Sequence, residues 1–178
     1  MSSTEMLRPG RLHHHAFVCR NQEATRRFYE EIVGLPLAAT WCEEDENGAY
    51  CHTFFELADG SSLAFFQFAD PAVAEAQAAM ASMSVFDHVA LTATAELHAA
   101  IMQRAEVAGV GTLVVDHGYC RSLYLRDPDG LIVELTVDDP RAEADAPARR
   151  ASARADLARW VAGDHTPNNG LRHGGGET

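Results

Sequence analysis

The chain has 178 residues, with 14 basic and 26 acidic side chains and a formal net charge of −12. Its 47% hydrophobic and 22% charged content excludes a disordered chain, and its length fits one domain or two small units sharing a core. All 14 basic residues are Arg, which excludes lysine Schiff-base chemistry and a P-loop lysine.

Residues 1–11 read as a loose lead-in. Leu12 to Cys19 then reads as a strand. Asn21 is an N-cap, and Ala24, Phe28 and Ile32 fall at i, i+4 and i+8, the stripe of a short helix ended by Gly34 and Pro36. Leu37–Cys42 and Ala49–Leu57 read as strands around an acidic tip ending in Asn47-Gly48, a hairpin signal. Asp59-Gly60 turns the chain into a fourth strand, Leu63–Phe68. The Ala-rich stretch 70–84 is a helical connector. The order β-α-β-β-β then repeats. Phe86–Thr92 is a strand. Thr94 caps a helix with Leu97, Ile101, Ala105 and Ala108 on one face, stopped by Gly109 and Gly111. Thr112–Asp116, Arg121–Arg126 and Leu131–Val137 are strands, the last two joined by the turn Asp127-Pro128-Asp129-Gly130. Residues 145–162 form an Ala/Arg-rich helix carrying Leu157, Trp160 and Val161, laid on the outside or across a partner. Residues 163–178 are Gly-, Asn- and His-rich and read as a mobile tail.

The repeat has a local echo: His14-His15-Ala16-Phe17-Val18 against His88-Val89-Ala90-Leu91-Thr92. It selects His14 from the run His13-His14-His15, and strand alternation puts His13 and His15 on the opposite face. His14, His88 and Glu134 come from three strands, and two imidazoles with one carboxylate can form a facial triad with open positions, suited to Fe(II). Glu134 lies in the apolar strand Leu131-Ile132-Val133-Glu134-Leu135. Facing inward it needs a partner or a metal; by plain alternation it could instead face solvent. Gln67, in the last strand of the first copy, is a fourth candidate ligand or else a surface amide. His117 and Tyr124 are candidate acid, base or hydrogen-bond donors beside a metal-bound substrate.

These residues resemble the vicinal oxygen chelate superfamily, which includes glyoxalase I, bleomycin- and fosfomycin-resistance proteins, methylmalonyl-CoA epimerase and extradiol dioxygenases. The resemblance covers about residues 11–138. It implies an α+β fold of two paired βαβββ modules (12–69 and 85–138) forming a half-open β-barrel around a metal site. A C-terminal helix and mobile tail follow at 139–178. The family's metal ligands fall on His14, His88 and Glu134. The run from His117 through Leu123-Tyr124 and Asp127-Pro128-Asp129-Gly130 to Glu134 is similar to the extradiol dioxygenase signature, in which His117 and Tyr124 hydrogen-bond a metal-bound catecholate. Where many extradiol enzymes carry a further His, this chain has Ser61-Ser62-Leu63, and His52 lies one strand earlier.

The implied activity is metal-dependent extradiol cleavage of a catecholic ring with O2. The metal is Fe(II) first, with Mn(II), Zn(II) and Ni(II) as other candidates. Alternatives are a glyoxalase-like lyase or isomerase, and a non-enzymatic drug-binding protein. The implied partners are an aromatic diol, O2 and a second copy in a homodimer. Residues 1–140 carry 8 Arg against 21 Asp and Glu, and such an acidic body excludes nucleic acid. No apolar run approaches the ~20 residues a membrane span needs. Met1 to Arg11 lacks a signal-peptide apolar core, and the four Cys show no CxxC spacing, so a reduced cytoplasmic location is expected.

Overall fold

The computed structural model describes residues 9–46, 48–80, 84 and 86–169. The chain divides into two compact units, Met1–Phe86 with Asp127–Leu131, and Asp87–Arg126 with Ile132–Thr178.

The first unit runs β1 (His14–Val18), α1 (Gln22–Arg26), β2 (Leu37–Asp45), β3 (Gly48–Glu56), β4 (Ser62–Phe68) and α2 (Pro71–Met80). Its sheet has the order β1-β4-β3-β2, with β1 parallel to β4 and the other pairs antiparallel. Asn21 caps α1 as expected: its Oδ1 accepts from Ala24 N–H at 3.0 Å. Beyond Arg26 the helix widens into a π-helical stretch, Arg27–Val33. This stretch carries the adjacent pairs Phe28/Tyr29 and Ile32/Val33 into the core. Gly34 closes the helix at φ +92°. The hairpin signal at Asn47 lies outside the described residues.

Alternation gives this sheet two faces. Leu63 and Phe65 point to the α1 side, where the Tyr29 ring lies 4.6 Å from Phe65 and 5.5 Å from Phe55. Ala64 and Phe66 point to the other. Burying each such ring stabilises the unit by about 1.5–3 kcal/mol. The Tyr29 hydroxyl, sealed in this core, donates to Asp127 Oδ2 at 3.1 Å. Asp127 Oδ1 also accepts from the N–H groups of Asp129 and Leu131, which builds the expected Asp-Pro-Asp-Gly turn with Gly130 at φ +96°.

The second unit runs β5 (His88–Thr92), α3 (Ala95–Val107), β6 (Thr112–Asp116), β7 (Cys120–Arg126), β8 (Ile132–Asp138), α4 (Pro140–Ala144) and α5 (Ala146–Val161). Its sheet order, β5-β8-β7-β6, is that of the first sheet, again with one parallel pair. The α+β class, the two βαβββ modules and the C-terminal helix are therefore as expected. Thr94 caps α3. The expected stripe needs two corrections: the buried residues are His98, Ile101 and Ala105, while Leu97 is 40% exposed and Ala108, the C-cap beyond the last turn, is exposed as well. Residue 97 belongs to the first turn, at the capping end, and the stripe runs i, i+3, i+7 from His98. Leu123, Leu125, Val133 and Leu135 complete this core. The short α4, capped by Asp139 with Pro140 in its first turn, was not expected from the sequence pattern. No residue of α5 is buried. Among the described residues no helix is long and apolar enough to cross a membrane.

Candidate functional site

In the second unit Val133 and Leu135 of β8 pack into the core, and Glu134 between them points to the other face of the sheet. That face is not open to water at this position: Glu134 is 5% exposed. The inward reading holds, and the cost of burying its carboxylate is met by two donors. Tyr124 sits directly opposite on β7, and its hydroxyl donates to Glu134 Oε1 at 2.9 Å. His88 lies on the neighbouring strand β5, where its register partner is Ile132, two residues before Glu134. From this diagonal position its Nε2 meets Glu134 Oε2 at 2.8 Å.

His117 extends the line. Its Nε2 lies 2.9 Å from the Tyr124 hydroxyl. Since that hydroxyl gives its proton to Glu134, His117 must be the donor, which fixes the Nε2–H tautomer. The loop that holds it is tied down by His117 N–H to Cys120 O at 2.9 Å, with Gly118 at φ +79°. The His117 ring stacks on Tyr119. His117, Tyr124, Glu134 and His88 thus form one continuous hydrogen-bonded line. Burial first, and then the Glu134 carboxylate, push the Tyr124 phenol up to about 12.

In the first unit His14 opens β1 on the face of Ala64 and Phe66. Its ring lies 5.6 Å from Phe54 and 6.4 Å from His52. His52 stacks on Phe66 at 3.6 Å, and its buried Nε2 has no partner among the described residues. Burial, and then His14, hold the His52 imidazole below its usual range. His15 turns to the opposite face against Phe17, as alternation requires. His13 does not: it precedes the strand, and its Nδ1 comes within 2.8 Å of His14 Nδ1.

Gln67 stands on the opposite face of the first sheet from His14. Its parity matches Leu63 and Phe65, so it points to the α1 side, away from His14. There its Oε1 accepts from Gln22 N–H at 2.7 Å and satisfies the start of α1. The register counterpart of Glu134 is Ala64, which sits two residues beyond the His14 partner Ser62. The sequence carries a signal for this: Ala64 follows Gly60 by as many residues as Glu134 follows Gly130.

The donors fit a divalent first-row cation by chemistry. His88 and Glu134 are an imidazole and a carboxylate whose Nε2 and Oε2 lie 2.8 Å apart, and Tyr124 holds the other carboxylate oxygen. Among the described residues no three His, Cys, Asp or Glu side chains gather into a ready-made cluster.

The chain belongs to the Glyoxalase/Bleomycin resistance protein/Dioxygenase superfamily, whose model matches residues 11–135. Solved structures of similar fold include a genomically encoded fosfomycin resistance protein, FosX, from Listeria monocytogenes, complexed with Mn(II) and sulfate. It is 16% identical, covers 78% of this chain and 99% of its own, and has a TM-score of 0.56. A glyoxylase/bleomycin resistance protein/dioxygenase domain from Frankia sp. is 14% identical over 74% of this chain and 100% of its own, with a TM-score of 0.58. A putative dioxygenase from Bacillus subtilis is 20% identical over 70% of this chain and 39% of its own, at 0.55. No curated protein matches the chain.

Proposed function

We propose that the protein is a metal-dependent, extradiol-type dioxygenase that opens a catecholic ring with O2. The observation that carries this is the line His117–Tyr124–Glu134–His88. It joins an imidazole, a phenol and a carboxylate–imidazole pair on one sheet face. His88 and Glu134 are the proposed metal ligands in the second unit. His14 is the third, on the strength of the resemblance alone. The proposed metal is Fe(II), with Mn(II), Zn(II) and Ni(II) as the other candidates; when bound it supplies the Lewis-acid and one-electron chemistry that a diol and O2 require.

The chain's own residues do the rest. Tyr124 keeps its proton at neutral pH, so its hydroxyl is a donor, to Glu134 as it stands or instead to a substrate oxygen placed beside it. His117, one hydrogen bond further out, donates its Nε2 proton to the Tyr124 hydroxyl and can pass that proton along the line toward a substrate oxygen as the ring opens. Gln67 is not part of the proposed site, because its oxygen is held at the start of α1. We further propose that the protein works as a homodimer in the cytoplasm, where its fold needs no disulfide as a structural staple.

The test is oxygen consumption by anaerobically prepared, Fe(II)-loaded protein given a panel of catechols. The expected result is uptake coupled to a new coloured ring-fission product, lost in His88→Ala. One tightly bound metal per chain with no uptake would overturn the reading in favour of a lyase or isomerase of the same family. No bound metal and no uptake would favour a binding protein.

A further inference from the structure

Two of the four cysteines face each other. Cys42 of β2 and Cys51 of β3 are directly opposed in the antiparallel register. Their position in the ladder follows from the hairpin. Two residues separate Asp45 from Gly48, so that pair closes the hairpin as a hydrogen-bonded pair. Strict alternation then makes Cys42/Cys51 a non-hydrogen-bonded pair, in which opposed side chains come closest. The other side of β3 agrees. Ala69 N–H donates to Ala49 O at 2.8 Å, so Ala49, and Cys51 two residues on, turn their backbone groups toward β4 and not toward β2. Opposed Cα atoms in such a pair are about 4.5 Å apart, inside the range of about 4.4–6.8 Å that a disulfide spans.

The other two cysteines are placed differently. Cys19 and Cys120 are buried, whereas Cys42 is exposed and Cys51 half-buried. Burial pushes the Cys19 thiol up to about 11 and raises that of Cys120. Burial also raises the Cys51 thiol, which hydrogen-bonds Cys42 beside it. Cys42 is therefore the thiol a solute meets first, and Cys51 the one already waiting behind it.

We propose that Cys42 and Cys51 form a reversible cross-strand disulfide, a redox-modification site on the β2–β3 hairpin. The oxidant is a low-molecular-weight disulfide. The Cys42 thiolate attacks one of its sulfurs, forming a mixed disulfide and releasing one thiolate. The Cys51 thiolate then attacks Cys42 Sγ and expels the second thiolate. The two cysteines lose two protons and two electrons. The small disulfide gains both and leaves as two thiols. A hairpin bridge of this kind suits a transient cytosolic modification and does not serve as a structural staple.

The test treats the full chain with oxidised glutathione and counts free thiols after denaturation. Two of the four thiols should disappear and return on reduction. Cleavage after glutamate cuts between the cysteines at Glu43, Glu44 and Glu46. The unreduced digest should still hold the Cys42 and Cys51 fragments together, about 2 Da lighter than their reduced sum. Cys51→Ser should instead keep a stable glutathione adduct on Cys42, and Cys42→Ser should leave Cys51 unmodified. Four thiols surviving, a lasting adduct on Cys42 of the unaltered chain, or any bond to Cys19, Cys120 or a second chain would each overturn the proposal.

Discussion

Glu134 shows how one side chain can be read in two ways until its neighbours are known. In the strand Ile132–Asp138, alternation alone allows it to face solvent. The opposed Tyr124 and diagonal His88 make its place a buried, doubly hydrogen-bonded one. If it is a metal ligand, Tyr124→Phe removes the donor that orients it. Metal affinity should then fall about 10–100-fold, measured by titration against a competing chelator; an unchanged affinity would show that Glu134 needs no such support. Asp127 offers a test of electrostatics at one residue. Burial raises its carboxyl above the usual range, so between the unfolded and folded values the native state binds more protons than the unfolded one. Stability from this group is therefore full below the unfolded value and is lost as pH rises through the folded value. Asp127→Asn has no such dependence and can keep the contact with Tyr29. Its stability relative to the unaltered chain should be higher at pH 7 than at pH 4 in urea unfolding, and a constant difference would refute the assignment. The candidates differed in how legible they were. His88, Tyr124, His117 and Glu134 could be read from the strand echo and the Asp-Pro-Asp-Gly turn. Gln67 lies in the last strand of the first copy, with its oxygen held by Gln22 N–H; counted from the Asp-Gly turn, the position equivalent to Glu134 is Ala64.

At the scale of elements, caps and turns carried the boundaries and helix interiors did not. Asn21, Thr94 and Asp139 each cap by a side-chain hydrogen bond, because the chemistry of the cap is local. The π-helical stretch Arg27–Val33 could not be read this way, since one extra residue per turn is selected by the sheet beneath it and not by local preference. The same holds for His98, buried where Leu97 was expected. Gly34 is where the π-helical stretch depends on a single residue. It sits at φ +92°, and the N–H groups of Gly34 and Leu35 both return to Tyr29 O. A β-carbon there meets left-handed strain, so Gly34→Ala should cost about 1–2 kcal/mol in denaturant unfolding. Stability equal to the unaltered chain would mean that the helix end relaxes without penalty.

At the scale of the whole molecule the open feature is α5. It is 16 residues long and buries none of them. An isolated helix of that length is marginal in water, and most helices are held by packing of an apolar face. Leu157, Trp160 and Val161 fall at i, i+3 and i+4, on one side of the helix, and are 64%, 58% and 79% exposed. An Arg- and Ala-rich helix with this stripe is better accounted for by a partner than by the chain's own core, and the proposed homodimer supplies one. A second copy would present the same stripe by symmetry, so a two-fold contact could bury all three residues against their equivalents. The net charge of −12 opposes such pairing at long range, but residues 141–178 carry 6 Arg against 5 acidic residues, so the repulsion is least where α5 lies. Light scattering on the unaltered chain should therefore give twice 19.4 kDa. The double substitution Leu157→Ser with Trp160→Ser should bring the mass to a single chain, with the circular-dichroism signal of the sheets unchanged. A single-chain mass before substitution, or a dimer that survives it, would show that α5 is not the pairing element.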